Sequence, residues 1–231
     1  MSLRKRLLVK PPSTGITPSE HFGVVLYEGD GASSHSINGG KFGAGAYFGG
    51  SAYISTSLPN ITGNPVFSIS FWVNPTSTGT PIMLGNASNG AAFVTFINPS
   101  NKLNFGRYGD SLGDSTASIP NNTWTHIAIS NNAGNVQLYI NGTADLSFST
   151  TYNIGSNNVY LFTAVTGQVL QGKLDQFRFF QKALSSSEVS TLYAETVETV
   201  ESLDPLSEDT TDTLQVLGDS SCVATYRFEN D

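Results

Sequence analysis

Cysteine is almost missing from this chain: Cys222 stands alone among 231 residues. A single thiol cannot close an internal disulfide, so packing and hydrogen bonds must hold the fold without covalent staples. Small secreted all-β domains usually carry at least one pair, and its lack is the composition expected of a chain folded in a reducing cytoplasm. Charge is scarce too, at 13% of residues, and basic charge is scarcest: 11 Lys and Arg stand against 18 Asp and Glu, for a net charge of −7. General binding to nucleic-acid backbones needs a basic surface and is excluded by that balance. No window approaches the roughly 20 apolar residues of a membrane-spanning helix. The opening MSLRKRLLVKPPSTG offers only Leu7, Leu8 and Val9 after its basic residues, too short an apolar run for a secretory leader, so export by that route is not expected. No phosphate-binding loop and no Cys/His metal cluster occurs.

What the chain does have is aromatic and small: 14 Phe, 9 Tyr and 23 Gly in a sequence that is 39% hydrophobic. That suffices for one sizeable core in a domain of ordinary length. Its apolar residues alternate. In VFSISFWV, Phe67, Ile69, Phe71 and Val73 fall on one face, and Ser68, Ser70 and Trp72 on the other. In TWTHIAIS, Thr125, Ile127 and Ile129 share a face, opposite Trp124, His126 and Ala128. GNVQLYINGT ends in Asn141-Gly142, a hairpin signal because both residues tolerate positive φ. AAFVTFI and KLNFGR make a further pair around a turn at Asn98–Asn101. Strands with turns every eight to twelve residues and no intervening helices predict a sandwich or barrel and exclude a doubly wound α/β enzyme.

One helix interrupts this regime. Ser185 and Glu188 make an S-x-x-E capping box, and Val189, Leu192 and Tyr193 form a one-sided apolar stripe. So short a helix cannot stand alone and is expected to lie on the sandwich as a lid over one edge or end of the core. The organisation that follows is a basic extended arm at 1–20, a β domain at 21–194, an acidic linker at 195–221 and a terminal segment at 222–231. The arm holds Arg4, Lys5, Arg6 and Lys10, four of the eleven basic residues, with prolines that forbid regular pairing. It reads either as a solvated tail or as an assembly arm that orders on an acidic neighbour. The linker carries eight acidic residues and no basic one between Glu195 and Asp219. The segment SCVATYRFEND begins an apolar strand and is expected to be a donated strand or the start of a second module.

Four stretches, in order, resemble the laminin-G-like jelly rolls of the concanavalin A-like lectin and glucanase superfamily. They are GKFGAGAYFGGSAYIS, FSISFWVNPTS, NTWTHIAISNNAGNVQLYINGT and GKLDQFRFFQKALSSSEVSTLY. The resemblance covers about residues 24–194. It implies an all-β fold, an antiparallel two-sheet jelly-roll sandwich with one short C-terminal amphipathic helix. It says less about function, since this fold serves lectins, enzymes, receptors and viral fibres. A Cys-poor, leaderless member with a basic arm also resembles phage virion appendages such as tail fibres. That implies a location in the virion, folding in the host cytoplasm, homo-oligomerisation, virion proteins as partners through the arm, and a host-surface glycan as a further partner.

Glycosidases of the superfamily set their carboxylates as E-x-D-x-x-E along one strand, so that acid and nucleophile flank the scissile bond. Here Glu28 and Asp30 have the spacing but position 33 is Ser, and none of the three His pairs with Ser and Asp as a triad requires. No catalytic residue is assigned and the chain is read as a non-enzyme. The resemblance implies a structural Ca²⁺ on Asp175, with Asp30 as acidic partner and loop carbonyls completing the shell; a pairing of Asp175 with Arg178, or a turn cap, is the alternative. Trp72 and Trp124 are read as packing residues and His126 as a structural histidine. FGRYGDSLGD places Arg107, Tyr108, Asp110 and Asp114 in a turn-prone, glycine-rich segment, the mixture of aromatic and carboxylate that holds sugar rings and hydroxyls. Three functions follow: a glycan-binding or subunit-anchoring virion module, a purely structural virion component without ligand, and, last, a glycan hydrolase.

Overall fold

The computed structural model describes residues 7–9, 25–27, 33–36, 39–42, 45–49, 53–58, 60–86, 92–162, 168–196, 217 and 221–226. Its strands are β1 (Leu7–Val9), β2 (Val25–Tyr27), β3 (Ser33–Ser36), β4 (Gly45–Phe48), β5 (Tyr53–Ser57), β6 (Val66–Pro75), β7 (Ile82–Gly85) and β8 (Ala92–Ile97). They continue as β9 (Lys102–Arg107), β10 (Asp110–Ser118), β11 (Thr125–Asn132), β12 (Asn135–Ile140), β13 (Thr143–Ser149), β14 (Asn158–Leu161) and β15 (Gly172–Phe180). The helix α1 (Ser186–Tyr193) and β16 (Cys222–Tyr226) follow. Two antiparallel sheets result. One has nine strands, with the path β1-β16-β15-β6-β11-β12-β13 and β4, joined to β3, beside the first half of β15. The other has seven, in the order β10-β9-β8-β7-β14-β5-β2. The chain is therefore all-β, two stacked sheets with one short helix, and no helix among the described residues is long and apolar enough to cross a membrane.

The alternation read from the sequence decides what lies between the sheets. Phe67, Ile69, Ile127 and Ile129 are all fully buried there, and β11 pairs with β6 in the register Ile129↔Ile69, which lines up their core faces. Phe67 stacks on Phe179 and meets Phe93 of the opposite sheet edge-on, each contact at 5.6 Å between ring centroids. Burying such side chains contributes about 1.5–3 kcal/mol each, which is how a chain without disulfides holds together. The predicted turns form as expected. Asn141 and Gly142 both take positive φ, 49° and 76°, between β12 and β13. At the β8–β9 turn Asn98 Oδ1 accepts from the amides of Ser100 and Lys102, with Asn101 at φ 56°.

β15 breaks strict alternation in a useful way. Leu174, Phe177 and Phe179 all reach the core, which period two alone forbids. Gln176, at φ 48°, is the additional residue of a bulge between Asp175 and Arg178, and it restores the phase. Asp175, Arg178 and Phe180 consequently share the outer face.

α1 lies over that outer face rather than over an edge or end of the core. Val189 and Leu192 pack on Ala128, Tyr139, Phe180 and Cys222. Ser185 caps the helix with the reciprocal capping box read from the sequence: its amide donates to Glu188 Oε2 at 2.8 Å, and its side chain accepts from the Glu188 amide. Outward-facing serines of the sheet fasten the approach to the helix. Ser68 Oγ accepts from the Leu184 amide and donates to the Lys182 carbonyl, and Ser130 Oγ donates to the Leu184 carbonyl.

The described residues of the terminal segments join the nine-stranded sheet. Cys222–Tyr226, expected to open a second module or to be donated, is a strand of the same sheet: it pairs with Phe177–Phe180 on one side and with Leu7–Val9 on the other. The physical reason is that the second half of β15 would otherwise be an unpaired edge, since β4 covers only Gly172–Leu174. The basic residues Arg4, Lys5, Arg6 and Lys10, and all of the acidic linker except Glu195, Thr196, Leu217 and Ser221, lie outside the described residues.

Candidate functional site

The segment FGRYGDSLGD, read from sequence as turn-prone, is a β-hairpin: β9 turns at Tyr108-Gly109 into the nine-residue strand β10. Gly109 takes φ 83°, a conformation costly for other residues. Gly106 is required by close approach, because a Cβ there would stand 2.2 Å from the Asp110 carbonyl oxygen. β10 has no regular apolar face and was hidden from a periodicity search; two register shifts interrupt its pairing. Side chains hold it instead. Asp145 of β13 accepts from the amides of Thr116 and Ala117 at 2.6 and 2.7 Å, and Ser115 Oγ accepts from the Leu103 amide while donating to the Ala117 carbonyl. Asp145 thereby ties the edge of the seven-stranded sheet to the edge of the nine-stranded one.

A groove of about 330 Å³ lies against this hairpin, within the usual size of small-ligand sites. Phe93, Thr95, Ile97, Leu103 and Phe105 point inward and are fully buried, so the residues that alternate with them, Val94, Phe96 and Asn104, are offered to the outer face. These three line the groove, together with Arg107, Tyr108, Asp110, Ser111 and Gln168. Arg107 and Asp110 form an ion pair across the hairpin turn at 2.5 Å, both side chains about a third to a half exposed. Asn104 Nδ2 donates to Ser111 Oγ and to Asp114 Oδ1, each at 2.6 Å.

Of the four residues proposed from sequence, the fold brings Arg107, Tyr108 and Asp110 into one groove. Asp114 stands beside it, its two oxygens held by Asn98 and Asn104. Val94, Phe96, Asn104, Ser111 and Gln168 were missed. A signal for two of them existed: AAFVTFI is apolar on both faces, and the second face of an outer strand needs a reason to be apolar.

Asp175, proposed for calcium, is fully buried beneath the bend at residues 39–42. Its Oδ2 accepts from the amides of Lys41 and Phe42 at 2.8 and 2.9 Å, and its Oδ1 from the Gln176 amide at 2.7 Å. Three N–H dipoles aimed at one carboxylate stabilise the anion and oppose a cation at the same oxygens, and no group of three His, Cys, Asp or Glu that could hold a metal occurs among the described residues. The three amides already occupy both Asp175 oxygens, and Asp30, expected as its acidic partner on calcium, lies outside the described residues. Arg178 has hydrogen-bond partners of its own. Its NH1 reaches both oxygens of Glu195 at 2.7 Å and its NH2 reaches Gln176 Oε1. Glu195, expected to open the linker, is therefore bound into the domain.

The tryptophans pack as expected. Trp72 is buried between an edge-on Phe42 and a stacked Tyr193, with the Lys41 ammonium 4.5 Å from its ring, and Trp124 leans on the same cluster. His126 lies under Tyr193 with Nε2 2.9 Å from Ser70 Oγ. Its Nδ1 is buried without a partner, so the side chain is only half satisfied.

A two-sheet jelly-roll sandwich with an open polar–aromatic groove on one outer face belongs to a class shared by lectin-like modules and glycan-acting enzymes. Residues 48–190 match the laminin-G-like model of the concanavalin A-like lectin/glucanases superfamily, and the chain belongs to that family. No curated protein sequence matches it. Among solved structures it is similar to domain 4 of AbnA, an extracellular arabinanase of Geobacillus stearothermophilus, described in complex with arabinotriose. The TM-score is 0.59 at 25% identity, over 71% of this chain and 82% of that one. The receptor-binding domain of botulinum neurotoxin type G is similar at a TM-score of 0.56 and 18% identity, over 81% of this chain but only 50% of that one, and shows the fold alone.

Proposed function

We propose that this chain is a non-catalytic glycan-binding module and that its ligand lies in the groove between β8 and the β9–β10 hairpin. The observation that carries the reading is the composition of that groove. The apolar surfaces of Val94, Phe96 and Tyr108 lie beside the hydrogen-bonding groups of Asn104, Asp110, Ser111 and Gln168. Rings and methines stack on the former while hydroxyls bond to the latter. Support comes from the arabinanase domain, a relative at 25% identity described with a bound arabinose trisaccharide. The two carboxylates nearest the groove serve other partners, Asp110 on Arg107 and Asp114 on the two asparagines, an arrangement unlike an acid and nucleophile flanking a bond.

On this reading the module serves adhesion: it attaches a virion appendage to surface glycans or anchors neighbouring subunits, gaining avidity by repetition in a homo-oligomer. The low charge, the near-absence of cysteine and the basic arm at 1–20 support that role.

Isothermal titration of the full chain with neutral oligosaccharides, arabinotriose among them, tests the site. Tyr108→Ala should weaken binding about fivefold, equivalent to about 1 kcal/mol of stacking, without altering thermal stability. Unchanged affinity in a folded Tyr108→Ala protein would place the ligand elsewhere.

A further inference from the structure

Resting on the reading that this groove takes a glycan, we propose that its ligand is a neutral oligosaccharide recognised through hydroxyl groups, and that uronic-acid and sulfated sugars are rejected. Among the described residues Arg107 is the one basic side chain that lines the groove, and Asp110 already holds its NH2. The nearest basic residue on the same strand, Lys102, donates its Nζ to the Thr116 carbonyl and is turned away from the task. Asp114, beside the groove, adds a second carboxylate. The site therefore presents two carboxylates and one cation, in a chain whose net charge is −7. An anionic sugar needs an uncommitted guanidinium or ammonium to replace its hydration. Here the NH2 of Arg107 is already held by Asp110 and its Nε is buried away from the groove's solvent, and carboxylates outnumber cations at the site.

The hydrogen-bonding inventory points the same way. Asn104 spends its amide protons on Ser111 and Asp114, which leaves its Oδ1 to accept. Asp110 spends Oδ2 on Arg107 and keeps Oδ1, again an acceptor. Ser111 Oγ accepts from Asn104, so its own proton is available to donate, and the Tyr108 hydroxyl and Gln168 amide make no other hydrogen bond among the described residues. The residues lining the groove thus offer both acceptors and donors. A sugar hydroxyl donates to the former and accepts from the latter, whereas a carboxylate or sulfate can only accept and is repelled by Asp110. Specificity of this kind comes from the groups left unpaired or opposed by the wrong ligand.

The test titrates the full chain with neutral trisaccharides and with uronic-acid trisaccharides of equal length, at low and high salt, reading both heat and amide chemical shifts of the hairpin. Neutral sugars should bind with salt-independent affinity, at least about tenfold more tightly than the acidic ones. Asp110→Asn should narrow or reverse that gap by releasing Arg107, and the acidic affinity it gains should fall with salt. Acidic sugars that bind the native protein as tightly as neutral ones, with salt-sensitive affinity, would overturn the proposal while leaving the glycan reading intact. If neither class shifts the hairpin resonances, the glycan reading itself fails.

Discussion

Acid should loosen this protein through His126. The imidazole lies beneath Tyr193, 1% exposed, with the Arg178 guanidinium nearby on β15 and Ser70 Oγ on its Nε2. Burial first, and Arg178 second, push its pKa down to about 3 from the ordinary 6.5. The sign follows directly. Below about pH 6.5 the unfolded chain takes a proton here that the folded chain refuses, so stability falls as pH drops. The loss ends near pH 3, where the folded state also protonates. The slope is about 1.4 kcal/mol per pH unit, and the whole window is worth about 5 kcal/mol, a large part of a typical domain's stability. Among the described residues, the other charged and titratable groups on this face include Glu195, which holds Arg178, Tyr193 at the helix end, Lys41 over Trp72, and Asp175, which pairs in register with Trp72. Urea unfolding from pH 7 to pH 4 should be compared for the native chain and His126→Gln, which keeps a donor for Ser70. Carboxylate effects are common to both and cancel. The two stability curves should converge by roughly 1.4 kcal/mol per unit as pH falls through the window. Parallel curves would refute the assignment of His126 as a buried neutral group.

Two further changes test how the outer face of the nine-stranded sheet is held. Glu195→Gln leaves the guanidinium of Arg178, 2% exposed, without its counter-charge and should cost about 3–5 kcal/mol by chemical denaturation. Arg178→Met combined with Glu195→Leu should recover most of that loss, because a buried apolar pair carries no desolvation penalty. Asp175→Ala removes the acceptor from the amides of Lys41, Phe42 and Gln176, and should cost about 3 kcal/mol or more, seen as a lowered Tm.

The local chemistry of the sequence determined a good deal. Alternation in VFSISFWV and TWTHIAIS fixed which residues enter the core between the sheets, because side chains on a strand point to opposite faces and the continuously apolar face turned toward the other sheet. The Ser185/Glu188 box fixed the start of the helix, and Asn141-Gly142 its hairpin, since each needs only near neighbours. Arg107, Tyr108 and Asp110 fall in one groove because they stand within four positions about a single hairpin turn. Tertiary structure decided everything that depends on partners far along the chain. The fold laid the amides of Lys41 and Phe42 on Asp175, from more than a hundred residues away, which nothing near it in the chain foretold. Glu195 looked like linker until it met Arg178, and Cys222–Tyr226 looked like a beginning until β15 offered it an edge. β10 carries no pattern of its own; it pairs with β9, and where that pairing is interrupted Asp145, from the other sheet, holds the amides of Thr116 and Ala117. A carboxylate has the same formula in each of these places, and what it does is set by the donors that folding brings to it.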